Sequence, residues 1–123
     1  MPRGLVQESL DRRLEIVEGE MQQRVASAGL EDVVHARRLI GHPEWFVRVA
    51  AARALGRLGG PDDAAPLTAA LADPSWWVRY RAAQSLCSIP GMGPAELGAL
   101  TARLTDRFAA DMLRQVLAER APA

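Results

Sequence analysis

His42–Leu58, HPEWFVRVAAARALGRL, is written a second time as Asp73–Ile89, DPSWWVRYRAAQSLCSI. Pro43 returns as Pro74, Trp45 as Trp76, Val47 as Val78, Arg48 as Arg79, Ala51 as Ala82 and Leu55 as Leu86, each 31 residues on. A fixed period of this length marks stacked supersecondary units, none of which can bury its apolar face alone. Within each copy the apolar residues recur at helical spacing. The expected architecture is therefore all-α, a right-handed α-solenoid built from helical hairpins.

Around that repeat, residues 1–123 read as one unit with four parts. Residues 5–28 form a capping helix, with a single apolar stripe at Val6, Leu10, Leu14, Val17, Met21 and Val25 and a stop at Gly29. This segment does not fit the period, since stepping back from Val47, Arg48 and Leu55 reaches Ile16, Val17 and Arg24. Its role is to cover the face that the first repeat would expose; a dimerising stripe is the alternative. Repeat one spans 30–59, with helix A over Leu30–Ile40 and helix B opening at His42-Pro43, where a first-turn proline is harmless. Repeat two spans 61–90: Asp62 and Asp63 bring negative charge to the start of helix A, Asp73 is the N-cap of helix B, and Pro90-Gly91 ends it. Repeat three, 92–120, is degenerate. Leu97, Leu100 and Leu104 mark its helix A, and Thr105 or Asp106 caps its helix B.

A helix turns about 100° per residue, which sorts helix B into faces. Val78, Ala82, Ser85, Leu86 and Ile89 share the side that packs on helix A. Trp77 and Arg79 lie on the flanks, where neighbouring repeats touch, and Phe46 and Phe108 stand 31 residues either side of Trp77. In the last repeat, Phe108 and Met112 are open to a further repeat or a second copy of the chain. Trp76, Tyr80, Ala83 and Cys87 point away from helix A, as Trp45, Val49, Ala52 and Gly56 do in repeat one. Stacking would place that face on a concave surface. It predicts an exposed ridge of Trp45, Val49, Trp76 and Tyr80 with Arg53 and Gln84 beside it, the composition of a protein-binding hot spot. The plainer alternative is that the tryptophans fold over small neighbours and finish the core.

These residues resemble the HEAT repeat family in its short bacterial form, the phycobilisome-lyase-like HEAT repeats. The signature is Asp-Pro-x-x-x-Val-Arg-x-x-Ala-Ala-x-x-Leu in helix B. Asp73, Pro74, Val78, Arg79, Ala82, Ala83 and Leu86 match it, as do Pro43, Val47, Arg48, Ala51, Ala52 and Leu55, with His42 in the Asp place. The resemblance implies a scaffold that binds protein or peptide rather than an enzyme. It also implies a ladder between neighbouring repeats in which Arg48, Asp73 and Arg79 are structural. The bilin lyases that share this repeat raise an enzyme-accessory reading, although no lyase-specific residue carries over. HEAT-like DNA glycosylases raise a nucleic-acid reading.

Composition weighs on those alternatives. Formal net charge is zero, against the basic excess of a nucleic-acid footprint. All fifteen basic residues are Arg, with no Lys and no Asn, a pattern of codon bias more than of chemistry. One cysteine, Cys87, excludes an internal disulfide and suits a cytoplasmic setting; no His stands near it in sequence to activate it. His35 and His42 have no metal-ligand spacing, and Gly56–Pro61 lacks the Lys-Ser/Thr ending of a phosphate loop. No apolar run approaches the roughly 20 residues that span a bilayer. The expectation is a cytoplasmic module with no cofactor, metal or membrane partner, and with a homodimer open through the N-terminal helix or the C-terminal end.

Overall fold

A computed structural model describes residue 12 and residues 32–120 of the chain. The capping helix expected over 5–28 lies outside the described residues, Arg12 apart. All regular structure among the described residues is helical: α1 (Val33–Leu39), α2 (Trp45–Leu58), α3 (Ala64–Ala70), α4 (Trp76–Leu86), α5 (Pro94–Arg103) and α6 (Arg107–Arg120), with a short 3-10 turn, Pro61–Asp63, leading into α3. Consecutive helices pair as hairpins, α1 on α2, α3 on α4 and α5 on α6. The second helices then pack side by side in the order α2, α4, α6, and the α2–α4 contact is the most extensive in the fold. Two stacked layers of helix with this connectivity make an α-solenoid.

Alanine sets the spacing. Ala51 and Ala52 on α2 and Ala82 and Ala83 on α4 are all fully buried. The tightest approach is at Gly56, where an added Cβ would lie 2.5 Å from Ser85 Oγ. Larger side chains fill the space behind: Leu55, Leu67, Leu71, Val78, Leu86, Leu113 and Val116 form one continuous core. The face of α4 assigned to helix A packing is buried throughout, from Val78 to Ile89.

Helix starts differ from the sequence expectation. The first helix begins at Val33 with Asp32 as N-cap, its Oδ1 accepting the Val34 N–H at 2.8 Å, three residues later than Leu30. The second helices begin two residues later than expected, at Trp45 and Trp76, so Asp73 is not the N-cap; Ser75 holds that position. Asp73 instead closes a turn of its own, Oδ1 accepting the Ser75 N–H at 2.8 Å. His42 does the same work in the first hairpin, Nδ1 accepting the Glu44 N–H at 3.0 Å. A side-chain acceptor two residues back stabilises the turn whether it is a carboxylate or an imidazole. Of the two candidates for the last helix, Asp106 is the cap, accepting from the Ala109 N–H at 2.9 Å. Gly91, at φ +89°, lets the chain reverse after α4.

Candidate functional site

The signature arginines sit on the flank of the second helices and reach in two directions. Arg48 Nη1 donates to the carbonyls of His42 and Pro43, both at 2.9 Å, tying α2 to its own turn. Its other edge forks onto the next hairpin: Nε to Asp73 Oδ2 at 2.8 Å and Nη2 to Asp73 Oδ1 at 3.0 Å. Both partners are largely buried, so this two-pronged pair works in a medium where it is strong. Arg79 repeats the local half, with Nη1 on the Asp73 and Pro74 carbonyls at 2.8 and 3.3 Å. The residue 25 beyond it is Leu104, where Arg48 has Asp73. Its guanidinium lies 5.8 Å from the centroid of the Phe108 ring instead.

A second fork between the same hairpins was missed from sequence. Arg37 on α1 donates through Nε to Asp63 Oδ1 at 2.7 Å and through Nη2 to Asp63 Oδ2 at 3.1 Å. Asp63 is 1% exposed and also accepts the Gly60 N–H at 2.9 Å. The Arg37 hydrogen bonds, followed by the Gly60 bond, hold its carboxyl below the ordinary carboxylate range despite burial. Asp63 is thus more than a helix-start charge. The available signal was spacing: Arg37 to Asp63 is 26 residues, beside 25 for Arg48 to Asp73.

The expected ridge is only partly a surface. Val49 is 1% exposed and Tyr80 is fully buried, so neither can face a partner. For Tyr80 the cover comes in part from Trp76 on its own helix and from α6 on its flank. Tyr80 lies stacked on Trp76, ring centroids 4.9 Å apart at 17°, and its hydroxyl reaches Glu119 Oε2 of α6 at 3.4 Å. Trp45, Arg53, Trp76 and Gln84 remain partly exposed. Trp45 meets Phe46 edge-on at 6.0 Å and Trp76 meets Trp77 edge-on at 5.0 Å, so both tryptophans also pack against the core. Met112, expected to be open, is buried, while Phe108 is 68% exposed.

Among the described residues, two concavities adjoin the second helices. One, of about 360 Å³, lies at their N-terminal ends among Pro43, Glu44, Trp45, Arg48, Pro74 and Ser75. The other, of about 380 Å³, lies at their C-terminal halves and is rich in arginine. The Cys87 thiol near it is pushed up by burial, with Arg120 opposing, which disfavours the nucleophilic thiolate. Among the described residues no group of three His, Cys, Asp or Glu could hold a metal ion, and no helix is long and apolar enough to cross a membrane.

A family model for HEAT repeats matches residues 23–87 and, in a second placement, 37–121. The chain belongs to the HEAT repeat family. No curated protein and no solved structure matches the chain at a significant level. HEAT repeats are commonly protein-interaction scaffolds and typically not enzymes, which is what membership itself carries.

Proposed function

We propose that this HEAT array is a non-enzymatic scaffold that binds a protein segment across the outer face of its second helices. The observation that supports the reading is the partly exposed set Trp45, Arg53, Trp76 and Gln84, placed on adjacent helices α2 and α4 of an interaction-type fold. Aromatic and arginine side chains that are half-buried before binding lose little further freedom on contact and supply much of an interface's energy. Val49 and Tyr80 support this surface from within rather than touching the partner. Trp45 is the residue to change, because it stands in the first turn of α2, whereas Tyr80 holds the core. Affinity capture from source lysate with wild type and Trp45→Ala, both shown to be folded by circular dichroism, tests the reading. Loss of a captured partner with the variant is the expected result. Equal capture by both would move the interface off this face.

The arginines of the C-terminal groove favour a second reading, a nucleic-acid backbone contact. A steep fall of affinity with salt for an oligonucleotide would support it.

A further inference from the structure

Arg48 and Arg79 hold their own turns alike, each through Nη1 on two carbonyls. On Arg48 the remaining edge, Nε and Nη2, grips the Asp73 carboxylate at 2.8 and 3.0 Å. On Arg79 the same two nitrogens make no hydrogen bond and no ion pair among the described residues, and the residue 25 further on is Leu104. Arg79 and Leu104 are both partly exposed. The Phe108 ring, 68% exposed, has its centroid 5.8 Å from the Arg79 guanidinium carbon. An aromatic ring engages the face of a guanidinium and leaves its edge for hydrogen bonds. The molecule itself shows what that edge holds when the turn anchors it in this way: a carboxylate, in a two-pronged pair.

We propose that the Nε–Nη2 edge of Arg79, with the exposed Phe108 ring beside it, takes one carboxylate side chain of a protein partner, an Asp or Glu flanked by an apolar residue that packs on Phe108. Charge favours this source over a nucleic-acid backbone. The arginines on the exposed side of α6 near Phe108 both lie against Asp111, Arg107 at 3.8 Å and Arg114 at 3.2 Å, and Asp106 caps the same helix. The start of α6 thus lacks the row of uncompensated cations that a phosphate chain neutralises. Sequence argues against a second copy stacked head to tail. Its first hairpin has His42 where the second has Asp73, so it brings no carboxylate to the fork. The inference rests on the protein-binding reading above and gives the partner an acidic residue at a point other than Trp45.

Titration of the full chain with acetyl-Leu-Asp-Leu-amide, followed through arginine Nε–H and backbone amide NMR signals, tests it. The Arg79 Nε–H signal is the one that Arg79→Lys removes. The Asp peptide should move it saturably, while the Arg48 signal, already on Asp73, stays in place. The matched acetyl-Leu-Asn-Leu-amide should bind at least about tenfold more weakly. Arg79→Lys keeps the charge and loses the fork, so Asp-peptide affinity read from backbone amides should fall at least about tenfold; a site of charge alone would keep it. Phe108→Ala, at an exposed position, should weaken the Asp peptide by about threefold. Leu104→Asp, shown to be folded by circular dichroism, should shift the Arg79 signal without peptide and lower peptide affinity. An Asp peptide no tighter than the Asn peptide, or one that binds Arg79→Lys as well as wild type, overturns the proposal. Octathymidylate binding at Arg79 more tightly than the Asp peptide also overturns it, in favour of a nucleic-acid site. If the Asp peptide fails while Trp45→Ala still loses its captured partner, the Arg79 contact falls alone and the scaffold reading stands. If the Asp peptide binds as expected while Trp45→Ala keeps its partner, the Arg79 contact holds and the Trp45 surface is the part that fails.

Discussion

The two seams of this array are built differently. Between the first and second hairpins two arginine forks cross, Arg48 onto Asp73 and Arg37 onto Asp63, and the helices touch at Gly56 and Ser85. Between the second and third, Arg79 finds no aspartate 25 residues on, and the contact is carried by buried Met112, Leu113 and Val116 with polar links from Tyr80 to Glu119 and from Arg120 to Gln84. Yet Arg48 and Arg79 hold their own turns alike, through carbonyls five and six residues back. The signature arginine therefore has two separable tasks. The local one needs only its own hairpin. The long-range one needs an acceptor that the next hairpin has to supply, and the degenerate third hairpin does not.

Substitutions can break or sharpen that contrast. Leu86 is fully buried in the helix that both seams share, so Leu86→Ala should cost about 2–5 kcal/mol in chemical denaturation. Removal of the first seam's fork, Asp73→Ala, strands Arg48 and releases the Ser75 turn; a loss of about 2–3 kcal/mol is expected, well above that of Arg79→Ala, and equal losses would erase the difference between the seams. Gly56→Ala drives a methyl into Ser85 and should destabilise by about 1–2 kcal/mol, with unfolding midpoints as the measure.

Asp63 makes the first seam sensitive to acid. Its folded-state carboxyl titrates below the unfolded value of about 4, so its contribution is complete above that pH and is lost as pH falls through the folded value. The urea midpoint of wild type should therefore fall more steeply between about pH 5 and about pH 3 than that of Asp63→Asn. Parallel slopes would remove Asp63 from the account. The smallest effect should come from an attempt to install the missing rung. Leu104→Asp gives up a half-buried leucine, but it should be less damaging with Arg79 present than in an Arg79→Ala background, by about 0.5–1 kcal/mol in a double-mutant cycle.

Much of this architecture was legible in the chain because it rests on periodicity. A 31-residue step with helical spacing inside it gives hairpins, and two copies in register define their stacking. The Val78–Ile89 face was legible because the helical angle fixes which side chains share a side. The helix starts were not, because Asp73 and Ser75 are both of capping type, and Asp73 is engaged instead by the Ser75 N–H and by Arg48.

The sequence by itself thus determined the helices and their pairing as hairpins, which depend on residues close in the chain. Only the tertiary structure decided that Tyr80 and Val49 are interior, that Arg37 pairs with Asp63, and that Arg53, Arg57, Arg81 and Arg120 line one groove. A helix's own geometry states where its side chains point. What lies there is set by neighbouring helices, and α4, with a helix on each side and another behind, has a buried outer-face residue that an isolated hairpin would leave wet.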